Sequence, residues 1–260
     1  MNEVVAELHT DEILCALAVA RHEGVEIDEV ADTLADEGAN VAICARNADE
    51  VAATVEALAA KGVRATGRAL DVSDGPALTQ WVADVGAEFG GLDKVVANVS
   101  ALSIGPDDEN WEQSFKVDIM GAVRLVNASM DLLQQSDAPS IVTISSVSGR
   151  EIDFASGPYG AFKAALVHYT QGIAYHHAGE GIRANSVSPG NTYFPGGVWT
   201  QIEQGDPELF ATALGLNPTG RMGTPQEMAD ATVFLSSDRA SFIAGTNLVV
   251  DGALTKGVQM

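Results

Sequence analysis

Basic residues are scarce in this chain. It has 14 Lys and Arg residues against 36 Asp and Glu residues in a length of 260, a formal net charge of −22 at pH 7. Such a surface would repel nucleic-acid phosphates and anionic lipid headgroups, so we expect neither a nucleic acid nor a membrane as partner. Either a salty habitat or the ordinary solvation of a mesophilic enzyme would account for the acidity.

Cysteine and long apolar runs are also lacking. The two cysteines, Cys15 and Cys44, indicate buried thiols in a reducing compartment. No apolar run approaches the roughly 18 residues of a transmembrane helix, which excludes a membrane span from the prediction. The acidic beginning, MNEVVAELHTDE, lacks the basic start of a signal or transit peptide. We therefore expect a cytoplasmic protein.

Strands and helices alternate regularly from residue 40 onward, and 46% hydrophobic residues suffice for one buried core. Apolar, β-branched runs predict strands at 40–45, 64–72, 92–98, 140–145, 183–188 and 246–252. Helical patterns are predicted at about 25–38, 48–61, 74–89, 108–134, 157–178 and 225–237. Strands separated by such helices specify a single α/β domain, residues 1–260, with a doubly wound parallel sheet.

Two segments do not follow this alternation. The first, residues 1–39, is atypical, and its apolar run at 12–20 fits a buried strand by position but a helix by its Ala and Leu content. The second, residues 191–224, is irregular with helical pieces.

Polar residues follow the predicted strands at the points where the strands end. They are Arg46, Asp71, Asn98, Ser146 and the pair Pro189–Gly190. Ligands of parallel α/β sheets bind beyond the carboxyl ends of the strands. The sequence therefore predicts one ligand site at this edge of the sheet.

Three of the residues near this edge suit acid/base chemistry. Tyr159 follows Ser146 by 13 residues, and Lys163 lies four residues further, one turn along the predicted helix. A nearby ammonium favours the deprotonated form of a phenol, so this arrangement would transfer a proton to or from an oxygen. A buried Tyr beside a surface Lys is the alternative interpretation of a Tyr-Lys pair alone.

Six short motifs occur together in the order typical of one enzyme family. They are LDV at 70–72, NVS at 98–100, the strand-end Ser146, Y-x-x-x-K at 159–163, PG at 189–190 and VDG at 250–252. On these motifs the chain resembles the short-chain dehydrogenase/reductase family over about residues 28–257. The resemblance implies a Rossmann-like fold and an oxidoreductase that interconverts a ketone and a secondary alcohol.

The resemblance also implies residue roles. Tyr159 would be the general acid/base on the substrate oxygen, Ser146 would hydrogen-bond the same oxygen, and Lys163 would also bind the nicotinamide ribose. The other implied cofactor contacts are Asp71 and Val72 at the adenine, Asn98 at the ribose, Pro189 and Gly190 at the nicotinamide, and Thr192 at its carboxamide or the phosphates. Individually, Asp71, Asn98 and Thr192 would also suit plain loop hydrogen bonding. No metal site is assigned.

The end of the strand at 40–45 bears on the choice of cofactor. NAD-preferring relatives usually place a carboxylate there, which accepts from the ribose 2′-hydroxyl. This chain has Ala45 followed by Arg46. A small neutral residue and a guanidinium suit a 2′-phosphate, so NADP is predicted in preference to NAD. A surface arginine is the alternative.

One family feature is missing. The glycine-rich loop that approaches the cofactor diphosphate should fall at about 20–27, where the chain reads ARHEGVEI. Glu23 and Glu26 would repel the diphosphate there. The alternative function is therefore a relative that has lost dinucleotide binding, either non-catalytic, engineered, or using Ser146 and Tyr159 without hydride transfer.

A second departure is Asp118, which stands 28 residues before Ser146, where relatives carry an Asn that holds a water near the Lys. An Asp accepts hydrogen bonds from Lys163 or a water but donates none unless protonated, so the proton relay would be altered. Its charge would stabilise the Lys163 ammonium if the two groups are close. A neutralised buried carboxyl is the alternative.

The resemblance leaves the substrate open beyond a small carbonyl or alcohol compound. The stretch at 191–199 would cover the substrate, and Tyr193, Phe194 and Trp199 suggest a partly apolar ligand unless they pack on neighbouring helices or a partner subunit. Relatives are usually dimers or tetramers through their long helices, so a homodimer or homotetramer is expected. The small residues that would allow close helix contact are Gly121, Ala122, Ala161, Ala164 and Ala165.

Overall fold

A computed structural model of the chain describes residues 14–19 and 29–258. The ARHEGVEI stretch at 20–27 lies outside the described residues, as does Ile27 of the helix predicted over 25–38. The ambiguous apolar run is resolved, because residues Leu14–Val19 form a strand. In the part of the chain that is described, no helix combines the length and apolar character needed to cross a bilayer.

One parallel sheet organises the fold. Its strands are β1 (Leu14–Val19), β2 (Asn40–Ala45), β3 (Ala65–Ala69), β4 (Lys94–Asn98), β5 (Ser140–Ile144), β6 (Arg183–Pro189) and β7 (Asn247–Val250). Their order is β3-β2-β1-β4-β5-β6-β7, and all six strand pairs are parallel. Strands β1 to β3 are added toward one edge of the sheet and β4 to β7 toward the other, so the strand order switches between β1 and β4. Ligands of doubly wound folds bind at this switch. The predicted Rossmann-like fold is confirmed.

Helices connect the strands. They are α1 (Glu29–Asp36), α2 (Ala48–Ala60), α3 (Gly75–Phe89), α4 (Asp108–Ser114), α5 (Met120–Leu133), α6 (Pro158–His177), α7 (Val198–Gly205), α8 (Pro207–Leu216) and α9 (Pro225–Ser236). Local sequence marks several ends. In α3, for example, the Asp74 side chain accepts from the Ala77 N–H, and Gly90 ends the helix with a φ of +92°.

A core lies on each face of the sheet. One contains Trp81, Val85 and Leu125 from α3 and α5, and Trp81 and Val85 point inward as predicted. The other joins Leu34 of α1 and Val233 of α9 to the opposite face. Because both faces are covered, most residues of β2, β4, β5 and β6 are buried, which explains their largely apolar runs.

The predicted helix over 108–134 is interrupted. A π-helical turn at Phe115–Ile119 separates α4 from α5 and carries Asp118. Two of the small residues expected to permit contact between subunits lie inside the subunit instead. Gly121 and Ala122 are buried, and a Cβ on Gly121 would lie 3.0 Å from Val72.

Candidate functional site

A cavity of about 240 Å³ lies at the carboxyl edge of the sheet, beyond β4, β5 and β6. It is lined by Asn98, Val99, Ser100, Leu102, Ile144, Ser145, Ser146, Tyr159, Lys163, Pro189, Gly190, Thr192, Phe194, Val198 and Trp199. The cavity therefore brings together the strand-end Ser, the Tyr-Lys pair and most of the residues assigned to cofactor binding.

The end of β5 is tied to α6. Ser145 Oγ donates to the Lys163 carbonyl oxygen at 2.8 Å, and Ser146 Oγ accepts from the Ser148 N–H at 3.2 Å. Ser145 and Ser146 are both buried, because they sit between the sheet and the helix. The second bond orients the Ser146 side chain within a short 3₁₀ turn at Val147–Gly149.

Two glycines allow this turn to touch α6. A Cβ on Gly149 would lie 2.8 Å from the backbone N of Ala164, and a Cβ on Gly160 would lie 2.7 Å from the Ser148 carbonyl oxygen. Backbone atoms this close leave no space for a side chain. The approach of the Ser146 turn to the helix that carries Tyr159 therefore depends on glycine at both positions.

Tyr159 and Lys163 lie one turn apart near the start of α6, as their spacing predicts. Lys163 Nζ lies 5.6 Å from the centre of the Tyr159 ring. The same ammonium donates to the carbonyl oxygens of Ile144 at 3.0 Å and Val99 at 3.4 Å. Lys163 is thus buried and anchored to the ends of the central strands, so the alternative of a surface lysine does not hold.

Asp118 lies against the Lys163 ammonium. Asp118 Oδ1 is 3.4 Å from Lys163 Nζ, and the two side chains are 0% and 3% exposed. Asp118 Oδ2 accepts from the Ala101 N–H at 3.2 Å, while Oδ1 accepts no hydrogen bond from the described residues. The carboxyl group therefore joins Lys163 to the cavity-lining loop that follows β4.

The assigned nicotinamide contacts lie on the other side of the cavity. Thr192 Oγ1 donates to the Gly190 carbonyl oxygen at 3.2 Å. Gly190 lies so close to the end of β7 that a Cβ there would be 2.7 Å from the Cβ of Asp251. Asn98 ends β4 beside the switch in strand order.

Three of the residues assigned to cofactor binding do not line the cavity. Arg46 follows β2 and is exposed. Asp71 Oδ1 accepts from the Ser73 N–H at 2.8 Å in the turn after β3. Val72 is buried and belongs to the core beside Gly121. These residues follow β2 and β3, which lie on the other side of the switch in strand order from β5 and Tyr159.

The residues around 191–199 divide between the cavity and the surface. Phe194 and Trp199 line the cavity, but Tyr193 does not. The Tyr193 hydroxyl donates to Glu203 Oε2 at 2.5 Å, and this carboxylate raises the pKa of Tyr193.

Sequence reasoning missed Leu102 as a cavity residue. Leu102 lines the cavity and adopts a φ of +50°, which is uncommon for a residue with a side chain. An isolated leucine gives no sequence signal of that conformation.

The donor set fits the nicotinamide half of a dinucleotide. An amide at Asn98, hydroxyls at Thr192 and Tyr159 and the close backbone at Pro189–Gly190 surround one opening. Metal chemistry has no corresponding donor set, since the described residues include no group of three His, Cys, Asp or Glu side chains arranged around a common point.

Comparisons with known proteins agree with this geometry. A family model described as enoyl-(acyl carrier protein) reductase matches residues 28–255. Isoepoxydon dehydrogenase of Penicillium expansum is 38% identical over 232 residues, covering 86% of this chain and 88% of that protein. Cis-4-hydroxycyclohexanecarboxylate dehydrogenase of Sinomonas cyclohexanicum is 34% identical over 230 residues, covering 85% and 89%.

A solved structure extends the agreement to three dimensions. A short-chain type dehydrogenase/reductase from Mycobacterium ulcerans superimposes with a TM-score of 0.85 at 27% identity, covering 94% of this chain and 90% of that one. With the matched motifs, the sheet order and the cavity, these similarities show that the chain belongs to the short-chain dehydrogenase/reductase family of NAD(P)-using oxidoreductases.

Proposed function

We propose that this protein interconverts a ketone and a secondary alcohol with NADP(H). The observation that carries the proposal is one cavity lined by Ser146, Tyr159 and Lys163 together with Asn98 and Thr192. A bound nicotinamide ring supplies the hydride donor or acceptor. The chain's own residues then handle the proton and the position of the substrate oxygen.

The proton passes through Tyr159. Its hydroxyl gives a proton to the carbonyl oxygen during reduction and takes one from the alcohol during oxidation. Ser146 Oγ, held by the Ser148 N–H, hydrogen-bonds the same oxygen and keeps it near the phenol. The buried Lys163 ammonium lies 5.6 Å from the centre of the Tyr159 ring and would bind the hydroxyls of the nicotinamide ribose.

Asp118 acts through Lys163. Its charge at 3.4 Å stabilises the ammonium and opposes part of the pull that this cation exerts on the phenol. The proton relay through an amide side chain, as in relatives, becomes one through a carboxylate.

The preference for NADP over NAD rests on the end of β2. Ala45 and Arg46 stand where a carboxylate would select the 2′-hydroxyl, and a guanidinium suits a phosphate. Asp71 and Val72, which follow β3, would flank the adenine.

The missing glycine-rich loop favours a second candidate, a family member that has lost dinucleotide binding. In the sequence, the stretch ARHEGVEI has carboxylates at the positions where relatives have the glycine-rich loop that approaches the diphosphate. In that case Ser146 and Tyr159 would act without hydride transfer, or the protein would be non-catalytic.

Titration with NADPH and NADH, by calorimetry or nucleotide fluorescence, separates the two candidates. We expect NADPH to bind more tightly, and Arg46→Ala to weaken NADPH but not NADH. Arg239→Ala is a matched control, because it removes the same charge from the turn before β7, toward the amino ends of the strands. If neither nucleotide binds at millimolar concentration, the oxidoreductase proposal is wrong.

We also propose a cytoplasmic homodimer or homotetramer that acts on a small alcohol or carbonyl compound. Exposed Phe115 and Tyr175 on or near the long helices, with exposed Ala161, Ala164 and Ala165, offer apolar surface for a second copy. Cys44 is fully buried, in agreement with the buried thiol expected in a reducing compartment. Light scattering on the purified protein measures the oligomeric state, and a monomer would contradict the proposal.

The compound in the name of one relative, cis-4-hydroxycyclohexanecarboxylate, has its hydroxyl on a six-membered ring. We propose that the substrate of this chain is likewise a secondary alcohol on a ring.

A further inference from the structure

The described residues that line the cavity include one charged side chain, Lys163. Its ammonium is already engaged by Asp118 at 3.4 Å and by two carbonyl oxygens. The side chains of Lys163 and Asp118 are only 3% and 0% exposed. No cation in the described wall is therefore left to neutralise an anionic substrate.

Part of the cavity lining is apolar, and we call this part the apolar wall. It consists of Leu102, Phe194, Val198 and Trp199. A carboxylate against such a wall would lose its hydration without gaining a partner, which is strongly unfavourable. A methyl, methylene or amide group at the same place loses far less.

This apolar wall is held in place by its own contacts. Leu102, at a φ of +50°, is positioned by hydrogen bonds from its own N–H to Ser100 Oγ at 3.0 Å and from the Ala101 N–H to Asp118. On the other side, the ring of Trp199 makes an edge-to-face contact with Phe154 at 5.7 Å. The wall thus has little freedom to admit a charged side chain from elsewhere.

We propose that the site selects uncharged ring alcohols and ketones and rejects analogues that bear a carboxylate. The proposal rests on the function proposed above and goes further, because it fixes the charge of the substrate. In this selectivity the chain would differ from the relative named for cis-4-hydroxycyclohexanecarboxylate, a compound that bears a carboxylate.

A matched pair of probes tests the charge directly. Cis-4-hydroxycyclohexanecarboxamide and the corresponding carboxylate have nearly the same shape and differ in charge. We expect the amide to exceed the carboxylate by about 100-fold or more in kcat/KM and in affinity measured by calorimetry. Equal values, or a preference for the carboxylate, would overturn the proposal.

The salt dependence distinguishes charge selection by the cavity from repulsion by the acidic surface. Repulsion by the net charge of −22 would weaken between about 0.05 and 0.5 M salt, because exposed charges are screened. We expect the preference for the amide to persist across this range. A preference that disappears at high salt would assign it to the surface and contradict the proposal.

A variant should reverse the preference. Val198→Arg places a cation at the apolar wall, and we expect it to improve the carboxylate relative to the amide by at least about tenfold. Gln201→Arg is the control, since it adds the same charge to an exposed position of α7 that does not line the cavity. An equal gain in both variants would overturn the proposal.

Calorimetry distinguishes the two proposals. If the amide binds and the carboxylate does not, while neither nucleotide binds, charge selection stands and the oxidoreductase function fails. If NADPH binds but neither probe binds or reacts, the substrate class proposed here is wrong.

Discussion

The two walls of the cavity are built in different ways. The wall formed by β5 and α6 belongs to the main body of the protein, where Thr143 and Thr170 share a buried hydrogen bond at 2.7 Å and Ser145 is bonded to Lys163. The β6–α9 segment, residues 191–224, packs instead on a small core of its own made by Trp199, Ala213 and Met222.

This difference separates the residues proposed for proton transfer from the residues proposed to select the substrate. Ser146, Tyr159 and Lys163 sit on elements that the sheet and both cores hold in place. Phe194, Val198 and Trp199 sit on a segment whose packing is largely independent of those elements. Substitutions in that segment should therefore change which substrate enters without disturbing proton transfer.

The largest expected effect comes from the acid/base residue. Tyr159→Phe removes the hydroxyl alone, so we expect kcat to fall by about 10²–10⁴-fold with little change in stability. Steady-state kinetics and urea unfolding measure the two quantities. Tyr193→Phe is the matched control, because that hydroxyl bonds to Glu203 outside the cavity. A similar loss of kcat in both variants would refute the separation of the two walls.

The next effect tests the buried ion pair. Asp118→Leu leaves the Lys163 ammonium buried without its carboxylate and frees the Ala101 N–H, so we expect a loss of about 3–5 kcal/mol in unfolding free energy. Asp118→Asn keeps an acceptor oxygen at one of the two contacts and places its amide nitrogen at the other, so it should lose less than Asp118→Leu, about 1.5 kcal/mol. Urea unfolding ranks the two variants, and an Asp118→Asn variant as stable as the wild type would show that the charge of Asp118 contributes nothing.

A smaller effect concerns the close approach at Gly149. Gly149→Ala places a Cβ 2.8 Å from the α6 backbone, so we expect a loss of about 1–3 kcal/mol in unfolding free energy, with a lower kcat. Gly172→Ala is the control. Gly172 lies in α6, the helix that Gly149 contacts, and nothing lies within 4 Å of the added Cβ. It should stabilise the protein by up to about 1 kcal/mol. Opposite signs in urea unfolding are the expected result.

The smallest effect tests the junction between the β6–α9 segment and α9. Hydrogen bonds from Arg221 and the Thr224 N–H hold the pKa of Glu227 at about 2, below its ordinary value of 4.5. This contribution to stability is complete above pH 4.5 and is lost as pH falls toward 2. Glu227→Gln should therefore be less stable than the wild type at pH 7.

The difference in unfolding free energy between wild type and Glu227→Gln should shrink steadily from pH 5 to pH 3. Thr224→Ala removes the helix cap without removing the titrating group, so its cost of about 1 kcal/mol should change less with pH. A constant difference for Glu227→Gln would contradict the lowered pKa.

Local pattern predicted most of the elements. The strands and helices from residue 40 onward follow from apolar runs and amphipathic periodicity, and the spacing of Tyr159 and Lys163 places both at one cavity. The π-helical turn at 115–119 was missed, because an uninterrupted helix has the same hydrophobic period. Gly121 and Ala122 were assigned to a subunit contact, although small size alone does not tell which neighbour a helix face packs against.

By itself the sequence determined the sheet, its family and the spacing of Tyr159 and Lys163, because these depend on short-range periodicity and fixed intervals along the chain. Only the tertiary structure decided that Asp118 pairs with Lys163, that Leu102 takes a positive φ, and that the wall facing the substrate holds no unpaired cation among its described residues. These features depend on contacts between residues far apart in the chain, and no local preference encodes such contacts.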